Sequence, residues 1–192
     1  TTREASAQNL VQRFIIYYLL FRMISIIVAI STNNAIGQKG DLLCHMPADL
    51  KHFKTITTGH PVLMGERTFY SLPKRPLPNR RNIVLTDNPA FAAEGVEVVH
   101  SIPEAQQACI VHCQPSTDEV FIIGGGMVYR QFLPLADKLY ITHIHHTFPD
   151  ADTFFPEITA DEWELVSEEK HQADENNPFD YSFCEYTRKK HN

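Results

Sequence analysis

Residues 24–30 read Ile-Ser-Ile-Ile-Val-Ala-Ile, seven positions of which only Ser25 is polar. A run with no wet face suits a strand covered on both sides, the place a parallel sheet gives its central strands. Shorter β-branched runs recur at 61–65, 82–86, 96–100 and 119–123. Helical spacing falls between them, from Pro47 through Leu50, Phe53 and Lys54, then at 68–72, 103–108 and 127–133, where Pro134 closes the last helix. Strands alternating with helices predict an α/β sheet built with crossovers.

After residue 138 the pattern changes. Segments 139–144, 163–171 and 181–188 are longer and more alternating, which predicts antiparallel edge strands with one wetter face. No repeat, heptad run or low-complexity tract interrupts residues 23–192, so they are read as one domain. Ahead of them, Phe14-Ile15-Ile16-Tyr17-Tyr18-Leu19-Leu20-Phe21 is apolar between Arg13 and Arg22. It is too short for a spanning helix, and no small-residue cleavage site follows before Met23. Residues 1–22 are therefore expected to be an N-terminal extension, upstream or added sequence.

Seventeen basic against twenty-three acidic residues leave a net charge of −6, which gives no general attraction to a phosphate backbone. Neither nucleic acid nor a membrane is an expected partner. Cys44, Cys109, Cys113 and Cys184 fit reduced thiols in the cytoplasm better than a disulfide framework. His143, His145 and His146 alternate along a strand with no cysteine or acid pattern to complete a metal set, so no metal is expected.

Three of the eight glycines are consecutive, Gly124-Gly125-Gly126, between an apolar strand and a helix. A turn without side chains lets a ligand approach the backbone, and the N–H groups of the helix behind it favour a phosphate. A ligandless tight turn has the same sequence. Met64-Gly65-Glu66-Arg67-Thr68 repeats the arrangement, and two such turns suit the separated phosphates of a dinucleotide. Asp49 lies in the first turn of its helix beside Leu50 and Phe53. Facing an apolar cleft it would have a raised pKa and could hold an N–H edge or relay a proton; exposed, it would only complement the helix dipole. Arg80 and Arg81 follow Arg75-Pro76-Leu77-Pro78 and could grip a carboxylate, although by default such a pair reads as a solvated basic turn.

Taken in order, these segments resemble the dihydrofolate reductase family of the bacterial type. The matching stretches are Met23-Ile24-Ser25 with Ala29 and Ile36-Gly37, Pro47-Ala48-Asp49-Leu50 with Phe53-Lys54, Pro61 to Gly65, and Arg75-Pro76-Leu77-Pro78 before Arg80-Arg81-Asn82. Ile122 to Gly126 with Val128-Tyr129, Leu139 to Ile144 and Asp152-Thr153-Phe154-Phe155-Pro156 complete the series. The resemblance implies a central, mostly parallel eight-stranded sheet with an antiparallel C-terminal edge, flanked by four helices. It also implies reduction of 7,8-dihydrofolate to tetrahydrofolate with NADPH, in support of one-carbon metabolism, by a cytoplasmic monomer open to antifolate inhibitors.

By the same resemblance Asp49 assists protonation at the pterin N5 and Thr142 orients it. Ile27, Val28, Leu50, Phe53, Leu72, Leu77, Ile123 and Tyr129 line the substrate pocket, and Arg80 clamps a substrate carboxylate. Ala29, Ile36, Gly37, Gly65, Arg67, Thr68, Leu85, Thr86, Gly124, Gly125, Gly126, Val128 and Tyr129 contact the cofactor, with a cis peptide between Gly124 and Gly125. Residues 37–46 match a loop that closes over the nicotinamide.

Two departures stand out. Cys44 takes the place of a tryptophan usual in that loop, and Glu66 and Asp87 stand where basic or neutral residues usually approach the 2′-phosphate. A carboxylate there implies weaker preference for NADPH over NADH. Two rival readings fit less well: a related reductase of riboflavin biosynthesis acting on a ribosylated pyrimidine, against which the Asp49 helix and Arg80 argue, and a folate- or nucleotide-binding protein without turnover, against which Asp49, Thr142 and the glycine turn argue.

Overall fold

The computed structural model describes residues 23–111 and 119–190; the segment read as an N-terminal extension, and Cys113, lie outside the described residues. The chain begins with β1 (Met23–Ser31), β2 (Ala35–Gln38), β3 (Asp41–Leu42) and helix α1 (Pro47–Thr57). Next come β4 (Val62–Gly65), α2 (Glu66–Ser71), β5 (Asn82–Leu85), β6 (Val96–Val99) and α3 (Ile102–Val111). Then follow β7 (Glu119–Gly124), α4 (Gly126–Phe132), a 3-10 turn at Leu133–Leu135, β8 (Lys138–Ile144), β9 (Thr153–Phe154), β10 (Trp163–His171) and β11 (Tyr181–Arg188).

Eight strands form one sheet in the order β10-β11-β8-β1-β7-β4-β5-β6. From β8 to β6 every neighbouring pair is parallel, while β11 runs antiparallel to β8 and β10 to β11. The period-2 alternation of side chains builds a core on each face of this sheet. One face collects Ile26, Ile30, Leu63, Ile83, Val120, Ile122, Leu139 and Ile141 against Ala105 and Ala108 of α3 and Val128, Tyr129 and Phe132 of α4. The opposite face takes Ile27, Val62, Met64, Val84, Phe121 and Ile123, packed against Phe53 and Ile56 of α1 and Phe69 of α2. Each fully buried side chain of this size contributes about 1.5–3 kcal/mol. Both faces of β1 are thus covered, as its nearly unbroken apolar run requires.

Of the three segments read as edge strands only β10 is one: β11 lies between it and β8, and β8 is interior as well. It pairs parallel with β1 from Ser25↔Lys138 to Ser31↔Ile144 and antiparallel with β11 from Tyr181↔Ile144 to Thr187↔Lys138. Its alternation has another cause than solvent: Leu139 and Ile141 enter the core beneath α4, whereas Tyr140 and Thr142 point to the face that carries α1. A functional face leaves the same period-2 trace as a wet one.

Two helix starts are also corrected. α2 begins at Glu66 rather than at residue 68, and α4 at Gly126 rather than at 127; both are preceded by N-cap glycines that make no side-chain cap hydrogen bond. Without a capping side chain the sequence carries little boundary signal. Pro134 does not end the helical course but sits inside the 3-10 turn that follows α4.

Candidate active site

β4 and β7 are neighbours in the sheet, so the turns at their carboxyl ends lie side by side. After β7 the turn is minimal: Gly124 ends the strand, Gly125 is the N-cap and Gly126 opens α4. The Gly124–Gly125 peptide is cis, as the resemblance implies, and so is Arg75–Pro76. Gly124 has φ +135, and a Cβ there would lie 3.2 Å from the Thr68 hydroxyl oxygen and 3.5 Å from that of Tyr129. At Gly126 a Cβ would meet Thr153 at 2.9 Å and Ile36 at 3.8 Å, and at Gly65 it would meet Val128 at 3.4 Å. Gly65, Thr68, Gly124, Gly125, Gly126, Val128 and Ile36 therefore gather around one backbone cradle. Its first-turn N–H groups receive no side chain from either glycine cap. Open donors at two adjacent helix starts fit the diphosphate of a dinucleotide.

Asp49 sits in the first turn of α1, on the sheet face opposite α4. Its Oδ1 accepts a 2.6 Å hydrogen bond from the Thr142 hydroxyl of β8. Thr142 is buried and pairs in register with Ala29 of β1, so the acid, its hydroxyl partner and the first expected nicotinamide contact stand on adjacent strands. Burial pushes the Asp49 carboxyl above the usual carboxylate range, and the Thr142 hydrogen bond pulls it partly back. Tyr129 donates to the Ile27 carbonyl at 3.0 Å. Burial, with a smaller contribution from Asp49, raises its pKa, which keeps the phenol a donor.

The basic pair divides. Arg81 gives Nε and Nη2 to Glu97 at 2.9 and 2.5 Å and Nη1 to the Ala108 carbonyl at 2.8 Å, a structural engagement with β6 and α3. Arg80 instead donates Nη1 to Thr57 at 2.8 Å and Nε to the Pro78 carbonyl at 3.1 Å, with its guanidinium 5.8 Å from the centre of the Phe53 ring. Fixed at two points, Arg80 has no partner on Nη2 among the described residues, an edge that suits a carboxylate. Leu77, Ile27 and Ile123 are buried in the core below, and Phe53 and Leu72 pack on them. Leu50, beside Asp49, is 39% exposed, open enough to meet a ligand. Val28 and Leu85 belong to the opposite core, while Ala29 and Cys44 adjoin a third cluster around Met46.

Gly37 is buried in β2, where a Cβ would press on the Asp41 carbonyl at 3.0 Å; the tight hairpin already accounts for this glycine. The loop matched at 37–46 is tied to the small sheet β3-β2-β9. Asp152, just before β9, accepts the Lys39 N–H at 2.7 Å and donates its own N–H to the Gly37 carbonyl at 3.2 Å. Cys44 is half-buried in this loop, and burial, then the nearby Asp49, push its thiol up. At the turn expected to meet the adenosine, Arg67 is exposed on α2, and Glu66 accepts the Thr86 hydroxyl and, at 3.5 Å, the Asn88 amide. Among the described residues, no three His, Cys, Asp or Glu side chains are placed to hold a metal ion, and no helix is long and apolar enough to cross a membrane.

Sequence reasoning passed over Thr57, which holds Arg80, and Asp152, which holds the loop. Asp152 lay in a matched stretch, which was a usable signal; Thr57 had none, because its partner is 23 residues away.

A half-buried acid on one side of a central strand and a glycine cradle on the other define a site for a nucleotide beside a heterocycle. The chain belongs to the dihydrofolate reductase family, whose profile matches residues 23–188. It is 45% identical over 167 residues to the dihydrofolate reductase of Bacillus subtilis, covering 87% of this chain and 95% of that protein. To the enzyme of Haemophilus influenzae it is 46% identical over 165 residues, 86% and 98% of the two chains. The dihydrofolate reductase of Enterococcus faecalis, solved with NADP(H) and RAB-propyl, superposes with a TM-score of 0.78 at 39% identity, over 88% of this chain and 97% of that one.

Proposed function

We infer that this chain reduces 7,8-dihydrofolate to 5,6,7,8-tetrahydrofolate with NADPH, and that residues 23–192 form the catalytic unit. The observation that carries the reading is the hydrogen bond from buried Thr142 to half-buried Asp49, beside Ala29 on β1. When bound, the dinucleotide supplies a hydride from its nicotinamide ring. The cradle of Gly65, Thr68, Gly124, Gly125, Gly126 and Val128 would hold its diphosphate, with Ala29 and Ile36 toward the nicotinamide and Arg67, Leu85 and Thr86 toward the adenosine.

Thr142 occupies Oδ1 of Asp49 and leaves Oδ2 for the N–H edge of the pterin. A carboxyl whose charge is disfavoured by burial holds a proton at higher pH than usual, which favours protonation at N5 and makes the neighbouring carbon a better hydride acceptor. Arg80 meets the substrate carboxylate while Ile27, Leu50, Phe53, Leu72, Leu77 and Ile123 exclude water around the rings, backed across β1 by Val28 and Tyr129 from the core beneath α4. The same pocket is the one we assign to antifolate inhibitors; as assembly and compartment we assign a monomer in the cytoplasm. Following NADPH absorbance with and without dihydrofolate tests the activity. Oxidation independent of dihydrofolate, or none at all, would sink it.

Arg80→Ala raises KM for dihydrofolate by about 10- to 100-fold, the range of a hydrogen bond to a charged group, and leaves KM for NADPH unchanged. Equal effects on both constants would remove the clamp assignment. Thr142→Val removes the one hydrogen bond that lowers the Asp49 pKa, so the midpoint of the hydride-transfer rate against pH moves upward. The plateau falls about tenfold as orientation is lost. Single-turnover traces across pH read both numbers.

NADPH is the cofactor, with a margin over NADH that Glu66 narrows. Glu66→Gln raises kcat/KM for NADPH by about twofold to fivefold and leaves NADH unchanged, as expected for a partly solvated charge. An unchanged ratio of the two values rules out the repulsion.

A further inference from the structure

The helix that bears Asp49 starts without a local cap. Met46 is the N-cap and makes no side-chain hydrogen bond, and Pro47, next in line, has no N–H to offer. The first free amide, Ala48, donates at 3.0 Å to Oδ1 of Asn177, 129 residues further along the chain. Asn177 is buried in the turn between β10 and β11. Its amide nitrogen donates to both carboxylate oxygens of Asp174, at 3.0 and 2.9 Å, and its backbone N–H donates to Asp174 Oδ1 at 2.8 Å. The Asn177 carbonyl in turn accepts the Asp174 N–H at 2.9 Å. With its donors spent on Asp174, the side chain has one orientation, oxygen toward α1.

The same turn also reaches β8, the strand that carries Thr142. His145, just past β8, donates its N–H to the Asp180 carbonyl at 2.8 Å, and Asp180 Oδ1 accepts the Ala173 N–H at 2.7 Å. One turn after Asp49, the His52 ring stacks on Phe183 of β11 at 3.8 Å and 9°, and Phe183 is the register partner of Thr142. The two members of the acid–hydroxyl pair are therefore fastened to a single hairpin. We propose that Asn177 is a positioning residue for Asp49: by capping α1 from the β10–β11 turn it fixes where the acid's carboxyl stands against Thr142 and the substrate.

This inference rests on the assignment of Asp49 as the acid, and the experiment separates the two. Asn177→Ala opens the first turn of α1 one residue before Asp49. Single-turnover hydride transfer falls about tenfold and KM for dihydrofolate rises by a similar factor, while KM for NADPH, whose cradle lies on α2 and α4, stays within about twofold. Water admitted to the carboxyl moves the midpoint of the rate–pH profile toward acid. The titratable groups that sense Asp49, Cys44, Tyr129 and Tyr181, all have raised pKa values and stay uncharged near neutrality.

The exchange Asp174→Asn with Asn177→Asp keeps a donor–acceptor pair inside the turn and an oxygen facing Ala48, so it restores rate and KM to within about threefold. Should the alanine variant fail to accumulate, Asn177→Thr, too short to reach Ala48, replaces it. Wild-type rate, KM and midpoint in the single variant overturn the proposal. So does an exchange that folds normally without restoring them. With Asp49→Asn measured alongside, a slow Asp49 variant and an unaffected Asn177 variant reject only the cap; wild-type speed in the Asp49 variant rejects the acid itself.

Discussion

Asp49→Asn lowers the rate of hydride transfer to dihydrofolate by about 10²- to 10⁴-fold, the range of a positioned acid or base, and flattens its dependence on pH. The amide oxygen still accepts the Thr142 hydroxyl, so the geometry survives and only the ionisable function is removed. In the native enzyme the Asp49 pKa is raised, chiefly by burial, so the rate falls as pH climbs through that raised value. Stability follows the same group. Between the unfolded carboxyl pKa of about 3.9 and the raised folded value, the native state binds more protons than the unfolded chain, and stability declines with rising pH. Above that window the cost of the buried charge is fully present. The Asn variant does not carry it, so at pH 7 it is at least as stable as the wild type, with the difference vanishing below about pH 3.9. Urea midpoints at the two pH values measure this, and stopped-flow NADPH oxidation measures the rate. A variant that is slow because it is unfolded would show the opposite order of midpoints, and one of undiminished speed would leave Asp49 without a catalytic part.

What could be read from the sequence was what local pattern encodes. The strands at 163–171 and 181–188 have the bounds read from the sequence, and β1 extends one residue beyond its reading at each end, its apolar run without a polar face having few places to go. Gly124 to Gly126 marked the cradle because no side chain occupies that turn. β8 was misplaced because the face holding Tyr140 and Thr142 looks like a solvent face when only its period is seen. β3 and β9 have two residues each, too few for any period, and Asp152 rather than their own pattern ties the loop to them. Thr57 and Asn177 were silent for a different reason. Each acts on a partner far away in the chain, 23 and 129 residues respectively, and nothing around either residue records that partner. Asp49 itself was visible as an acid among apolar neighbours, but its burial depends on β8, which only the folded sheet brings up to it.

Gly124→Ala should injure the cofactor side as selectively as Asp49→Asn injures the substrate side. At φ +135 any side chain is strained, and its Cβ would stand 3.2 and 3.3 Å from Oγ1 and Cγ2 of Thr68. Strain of this kind costs about 1–3 kcal/mol. The turn can relieve it only by moving Gly125 and the start of α4, which displaces the N–H groups meant for the diphosphate. KM for NADPH therefore rises at least about tenfold, while KM for dihydrofolate, set by α1 and Arg80 across the sheet, changes by no more than about threefold. Gly125→Ala is the internal control: its Cβ also approaches Thr68 Oγ1, at 3.3 Å, but its φ of −84 is open to any residue, so its stability loss is smaller. Combining Gly124→Ala with Thr68→Ala removes the crowding and leaves the φ penalty, so thermal stability recovers in part and NADPH affinity does not. Equal KM changes for both substrates in Gly124→Ala would mean that the cradle does not hold the diphosphate. Full recovery of stability in the double variant would mean that crowding alone, and not backbone conformation, reserves this position for glycine.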